Sequence, residues 1–203
     1  DFTAYVYDFK TKTEQELVFG EQKWKLIELS DVSRDGKYLL YFGRQQGDLL
    51  DNLYYFDLVD NTNHQLTNEP TIHEWGQVIS YDGKWLAYTS EKDSKGFFEI
   101  YINRFPEMDQ EIRISKGNGE EPKWLPDGSG VYYRNGLQWM KVPLKLSGEP
   151  EIGEPEVFFE GEYVNVWGPS HDIFPDGRIL LLKGEEWVQP TKIDVIINAL
   201  EVY

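Results

Sequence analysis

The sequence contains no cysteine. That excludes a disulfide framework, a thiol nucleophile and any thiolate metal site, and it leaves the redox compartment open. Basic side chains are scarce: 20 lysines and arginines stand against 36 aspartates and glutamates, a formal charge of −16. A nucleic-acid or anionic-lipid surface needs a concentrated positive field, so neither is expected as a partner. The acidic balance suits cations or basic partners, although a solvated acidic surface needs no partner at all. No apolar run approaches the roughly 20 residues of a spanning helix, so membrane insertion is not expected. Also missing are the G-x-S-x-G elbow of a serine hydrolase, the G-x-x-x-x-G-K-[ST] phosphate loop and the kinase signatures. His73-Glu74 begins like a zincin pair, but no histidine follows three residues after Glu74.

What is present is apolar. Hydrophobic residues make up 40% of the chain and aromatics 15%, too much for disorder, and 203 residues are ample for a core. The chain opens at Asp1 without Met or a signal-peptide pattern and reads as a processed or excised segment.

A repeat organises the whole chain. An Asp-Gly pair followed by an apolar run occurs four times: SRDGKYLLYF at 33–42, SYDGKWLAYT at 80–89, LPDGSGVYYR at 125–134 and FPDGRILLLK at 174–183. The aspartates Asp35, Asp82, Asp127 and Asp176 lie 47, 45 and 49 residues apart, near the roughly 40–50 residues of a four-stranded propeller blade. Asp-Gly marks a tight turn, since glycine tolerates positive φ and aspartate accepts hydrogen bonds from nearby amides. The strand after each turn is a nearly unbroken apolar run, which means both of its faces are covered. A third strand follows at Leu53–Leu58, Phe98–Ile102 and Leu137–Val142, and a fourth around His64–Thr67, Glu111–Ser115 and Glu156–Glu160. No stretch carries a sustained helical period with caps. The expected fold is all-β: a β-propeller of four-stranded antiparallel blades. As one domain over 1–203 it divides into a partial blade at 1–22 and blades at 23–70, 71–117, 118–162 and 163–203.

Both ends are unequal to a whole blade. Thr3–Phe9 and Glu14–Phe19 match third and fourth strands, whereas Lys192–Ala199 matches a third strand with no fourth after it. The expectation is a segment of a larger ring. An open edge would then be covered by the remaining blades, a partner or another copy of the chain.

SYDGKWLAYTSEKDSKGFFEIYINRFP (80–106), GEEPKWLPDGSGVYYRNGLQWMKVPL (119–144), FPDGRILLLK (174–183) and PTKIDVIINAL (190–200) resemble TolB-like β-propeller repeats. Such repeats follow bacterial serine/threonine kinase domains and occur in periplasmic or secreted proteins. The resemblance spans about Thr3 to Leu200 and implies a ring of about six blades that presents loops around a channel. Arg34 and Tyr81 depart from it, standing where the family usually has proline before Asp-Gly.

The implied role is a non-catalytic binding or scaffold module for a protein or small polar ligand, as the sensor or accessory part of a larger protein. A periplasmic or extracellular location follows from the same resemblance. The repeat alignment brings Glu74, Glu120, Glu121, His171 and Asp172 toward the loops that lead into the innermost strands. Hard cations want several carboxylate oxygens, so calcium is the one cofactor these residues bring to mind, and otherwise none is implied. The plainer account is that they are solvated loop residues. For the four Asp-Gly aspartates, the turn itself explains the pair. Trp85, Trp124 and Trp139 fall in strands and read as inter-blade core. Trp75, Tyr163 and Trp167 sit in loop-like stretches and suit a recognition surface. The candidate recognition residues are therefore His73, Glu74, Trp75, Glu121, Tyr163, Trp167 and His171, with no catalytic residue. Two enzyme readings stay open: a carbohydrate lyase or hydrolase with its site in the channel, and the gating propeller of a serine peptidase.

Overall fold

Alternation along one strand explains the architecture. In the strand Tyr38–Gln45, Leu39 and Tyr41 point to one side and Leu40 and Phe42 to the other, and all four are buried. A strand buried on both faces must lie between two other sheets, and that is where it is found. The structure, a computed structural model, describes residues 4–20, 23–93, 96–165 and 170–184. Among them are seventeen strands in five antiparallel sheets and no helix, hence none long and apolar enough to cross a membrane.

The first sheet is a hairpin, β1 (Ala4–Asp8) with β2 (Thr13–Leu17). The second runs β3 (Trp24–Val32), β4 (Tyr38–Gln45), β5 (Asn52–Asp57) and β6 (Thr62–Gln65) in that order. The third repeats it with β7 (Glu74–Ile79), β8 (Trp85–Ser90), β9 (Glu99–Arg104) and β10 (Ile112–Arg113). The fourth has β11 (Glu120–Trp124), β12 (Gly130–Asn135) and β13 (Gln138–Lys145), and here the pattern differs from expectation. Two strands share the outer edge of β13: the short β14 (Glu151–Ile152) pairs with Leu144 and Lys145, and β15 (Glu156–Glu160) with residues 138–141. Pro150 and Pro155 bracket β14 and confine it to two residues, since proline cannot donate to the ladder. The fifth sheet is β16 (His171–Ile173) with β17 (Ile179–Leu181); Lys192–Ala199 lies outside the described residues.

The sheets stack through their faces. Leu17 and Phe19 meet Leu39, Tyr41, Tyr54 and Phe56 at the first seam. Leu40, Phe42 and Leu53 meet Ile79, Leu86, Tyr88 and Tyr101 at the second. Val78, Trp85, Ala87 and Ile102 meet Trp124, Val131, Tyr133 and Val142 at the third. Leu125, Tyr132 and Trp139 meet Ile173, Ile179 and Leu181 at the fourth. Each large side chain so buried contributes about 1.5–3 kcal/mol. The three tryptophans read as core are 6% (Trp85), 5% (Trp124) and 1% (Trp139) exposed.

Two chemistries build the same Asp-Gly turn. Every copy has its glycine at positive φ, Gly36, Gly83, Gly128 and Gly177 lying between 71° and 86°. In the first two copies a serine hydroxyl organises the turn. Ser33 Oγ donates to Asp35 Oδ1 at 2.7 Å and accepts from the amides of Lys37 and Tyr38. Ser80 Oγ likewise donates to Asp82 Oδ1 at 2.6 Å and accepts from Lys84 and Trp85. The later copies have Leu125 and Phe174 in place of the serine and carry Pro126 and Pro175 next, which preset φ instead. Arg34 and Tyr81 thus stand where proline is dispensable because a hydroxyl has taken over its task.

Candidate functional site

The first strand of each larger sheet lies innermost, and β3, β7 and β11 contact one another in succession. Each is irregular near the same place in the repeat: the pairing register shifts between Leu29 and Asp31, between Trp75 and Val78, and between Glu120 and Lys123. A bulge of this kind re-aims the side chains around it. At the bulge Gly76 takes φ 64°, and Glu121, at the same repeat position, takes φ 55°. For a glutamate that left-handed conformation costs about 1–2 kcal/mol, so other interactions must hold it there.

Those interactions are with the next sheet. Glu121 Oε1 accepts from the Ser170 amide at 3.2 Å and Oε2 from the Ser170 hydroxyl at 2.7 Å. His171 Nδ1 stands 3.5 Å from the same Oε2. Burial alone would raise the Glu121 carboxyl, but the His171 imidazole and the Ser170 donors outweigh it and hold the pKa below the ordinary glutamate value. The His171 side chain is fully buried, its ring edge-on to Trp139 at 4.5 Å, and among the described residues neither ring nitrogen has a hydrogen-bond partner.

Polar contacts cross the other seams too. Gln77 donates from Nε2 to the carbonyls of Tyr41 and Tyr54 and accepts from Ser30 Oγ at 3.1 Å. Asp31 Oδ2 accepts from the Ile79 amide at 3.0 Å, and Trp124 Nε1 donates to the Val78 carbonyl at 3.1 Å.

The sequence-derived candidates separate into three groups. Trp75, Glu121 and His171 share a small cleft with Leu29 and Ser30, with space of about 20 Å³, enough for one water-sized group. Its outer lip is apolar and open, Leu29 being 54% exposed. Glu74 opens β7 and His73 stands just before it, but both turn elsewhere. His73 Nε2 lies 2.8 Å from Asp51 Oδ2, and Arg44 Nε donates to Asp51 Oδ1 at 2.8 Å. Desolvation works against the Asp51 charge, yet the His73 and Arg44 contacts prevail and its pKa is lowered. Glu74 is 2% exposed; Oε1 accepts from Ser90 Oγ at 3.2 Å and Oε2 has no hydrogen-bond partner among the described residues. Burial raises its pKa. Tyr163 belongs to the fourth seam, its ring edge-on to Trp139 and Phe159 and its carbonyl accepting from Arg134 at 2.8 Å. Trp167 lies outside the described residues.

Among the described residues no group of three or more His, Cys, Asp or Glu side chains is placed to hold a metal ion. The turn aspartates are occupied by their own loops, Asp127 accepting from the Ser129 amide at 2.9 Å and Asp176 from the Arg178 amide at 3.1 Å. Gln77, Ser170, Asp31 and Asp51 are not among the sequence-derived candidates. Gln77 shares the repeat position of His171, and Gly76 that of Glu121; this register was the available signal.

No protein-family model matches the sequence, and no curated relative matches it either. Solved structures do match. A TolB structure from Agrobacterium tumefaciens aligns with a TM-score of 0.56 at 19% identity, covering 82% of this chain and 59% of that one. TolB from Acinetobacter baumannii aligns at 0.50 and 20% identity, over 74% of this chain and 37% of that one. The periplasmic gluconolactonase PpgL of Pseudomonas aeruginosa aligns at 0.52 and 15% identity, over 88% and 56%. The chain thus spans less than two thirds of the length of each of these proteins. With sheets stacked face to face and innermost strands in succession, the chain has the TolB-like β-propeller fold.

Proposed function

We propose that this propeller is a non-catalytic recognition module that receives the tip of a side chain of a protein partner in the cleft beside Trp75. The carrying observation is the cleft itself: an exposed apolar lip at Leu29, with the buried His171 side chain and the Glu121 carboxylate it faces among its lining residues. The cleft admits a side-chain tip and not a whole substrate, which favours recognition over chemistry on a large molecule. The fold similarity to TolB and to a periplasmic lactonase supports work in the periplasm or outside the cell, as part of a longer protein.

A peptide display selection against the intact chain tests this. Enriched peptides should bind the wild type and lose about tenfold or more in affinity against Leu29→Asp and Trp75→Ala. No enrichment, or equal binding to both variants, overturns the reading.

A further inference from the structure

The third seam departs from the second at two matched places. Phe105 and Leu144 are repeat equivalents: each donates its amide at 2.8 Å to the carbonyl just ahead of the second strand of its own sheet, Lys84 for Phe105 and Ser129 for Leu144. Tyr38 and Trp85, three residues after their turn aspartates, are equivalents likewise. At the second seam the Tyr38 and Phe105 rings meet edge-on at 5.1 Å, and Phe105 is buried. At the third the same positions hold Trp85 and Leu144, so the phenyl ring has no counterpart. The turns differ too: Arg34 lies over the Tyr81 ring at 5.3 Å, whereas the equivalent pair one repeat on is Tyr81 and Pro126, with no cation to place there. The third seam opens at this point into a groove of about 600 Å³ lined by Trp85, Trp124, Leu144 and Leu146, the size of a small-molecule site. It shares no residue with the cleft beside Trp75.

We propose that this groove is a second binding site, for an aromatic carboxylate. The ring enters against Trp85 and Leu144, in the place that Phe105 fills one seam earlier, and the carboxylate meets Lys84 and Lys145, which also line the groove. The fold itself supplies the precedent for the ring, since the edge-on packing of Tyr38 and Phe105 is the geometry an aromatic guest prefers. Lys84 forms no ion pair among the described residues, and Lys145 meets only Glu151, in a largely exposed pair. Asp82 and Asp127 stand nearby but are tied into their own turns, Asp82 Oδ1 by the Ser80 hydroxyl at 2.6 Å and Asp127 Oδ1 by the Ser129 amide at 2.9 Å. The long lysine stems can follow a ligand, and the short aspartates cannot. A free small acid and the C-terminal aromatic residue of a peptide present the same chemistry.

Titrations of the intact chain, followed through the tryptophan indole NMR signals, test the proposal with N-acetylphenylalanine, its carboxamide, N-acetylalanine and phenylacetate. N-acetylphenylalanine should shift the Trp85 signal of the wild type. N-acetylalanine should bind about tenfold or more weaker for want of the ring, and the carboxamide about threefold or more weaker for want of the charge. Leu144→Phe supplies the missing ring from within and should weaken N-acetylphenylalanine about tenfold or more. The double variant Lys84→Gln with Lys145→Gln should weaken it about threefold or more, whereas Lys10→Gln on the first hairpin should bind it as the wild type does. Phenylacetate binding as tightly as N-acetylphenylalanine supports the site and marks a free small acid as its ligand; binding by N-acetylphenylalanine alone supports it and marks a chain terminus. A Trp85 signal that neither acid moves overturns the proposal. So does equal binding of acid and carboxamide, or a folded Leu144→Phe that binds as the wild type does. If Leu144→Phe does not fold, the double lysine variant decides, and unchanged binding there overturns the proposal.

Discussion

Glu121 reaches from β11 into the neighbouring sheet and takes both donors of Ser170, the hydroxyl at 2.7 Å and the amide at 3.2 Å. It does so from φ 55°, a conformation its glycine counterpart Gly76 adopts without strain. Hydrogen bonding and backbone strain therefore oppose each other at one residue, and substitution can separate them. Glu121→Ala keeps the strain and orphans both donors, for an expected loss of about 2–4 kcal/mol. Glu121→Gly loses the same bonds but releases the backbone, so it should be less damaging by about 1 kcal/mol. Urea denaturation of the two variants decides; equal midpoints would show that the backbone carries no strain.

The turns offer a second separation of causes. Ser33→Ala removes the acceptor for the Lys37 and Tyr38 amides in a site that is 5% exposed, and should cost about 1–2 kcal/mol. The double change Ser33→Leu with Arg34→Pro copies the third turn, where Leu125 and Pro126 precede Asp127. It should return most of that loss, because proline narrows the unfolded ensemble at a position already suited to it. A double variant no more stable than Ser33→Ala would mean that the two turn chemistries are not equivalent.

Acid should reveal two carboxylates of opposite sign. Asp51 is lowered in the fold, so its contribution is present above the unfolded aspartate value of about 3.9 and is lost as pH falls through the lower folded value. Asp51→Asn should therefore destabilise at pH 7, with the difference shrinking in strong acid. Glu74 is raised by burial, so its charge opposes folding at neutral pH, and that penalty is relieved as pH falls from the folded value toward about 4.3. Glu74→Gln should be the more stable protein at pH 7 and lose its advantage near pH 4. Guanidinium titrations at a series of pH values measure both, and a Glu74→Gln protein that is less stable at pH 7 would refute the second.

Burial predicts which leucines matter for folding. Leu40 is wholly buried between the second and third sheets, and Leu40→Ala should cost about 2–5 kcal/mol. Leu29 on the preceding strand is 54% exposed, and Leu29→Ala should change stability by less than about 0.5 kcal/mol. Calorimetric midpoints compare them directly.

Much of this architecture was legible beforehand because it rests on repeated local rules. Asp-Gly pairs at a period near 47 placed the turns, and apolar runs such as Tyr38–Phe42 required cover on both faces. The candidate site was legible only in part. Trp75, Glu121 and His171 were singled out and do share a cleft, whereas Glu74 on an inner strand, His73 just before it and Tyr163 at a seam serve other neighbours. The difference arises because a repeat position specifies which strand a residue occupies but not which way its side chain leaves a bulge. Nothing in local propensity favours a glutamate at positive φ, and only its alignment with Gly76 hinted at that turn of the backbone. The five-stranded fourth sheet was missed for a similar reason: two residues between prolines are too short to register as a strand.

The polar links at the last three junctions differ from one another: an amide side chain to carbonyls at one, an indole to a carbonyl at the next, a carboxylate to a serine at the third. Apolar packing alone would let similar units exchange places at modest cost, a standing hazard for tandem arrays. Here a unit docked out of order would seal a donor or a charge against a surface with nothing to receive it. The mismatched chemistry of these junctions gives this chain a molecular record of sequence order, written into its polar contacts.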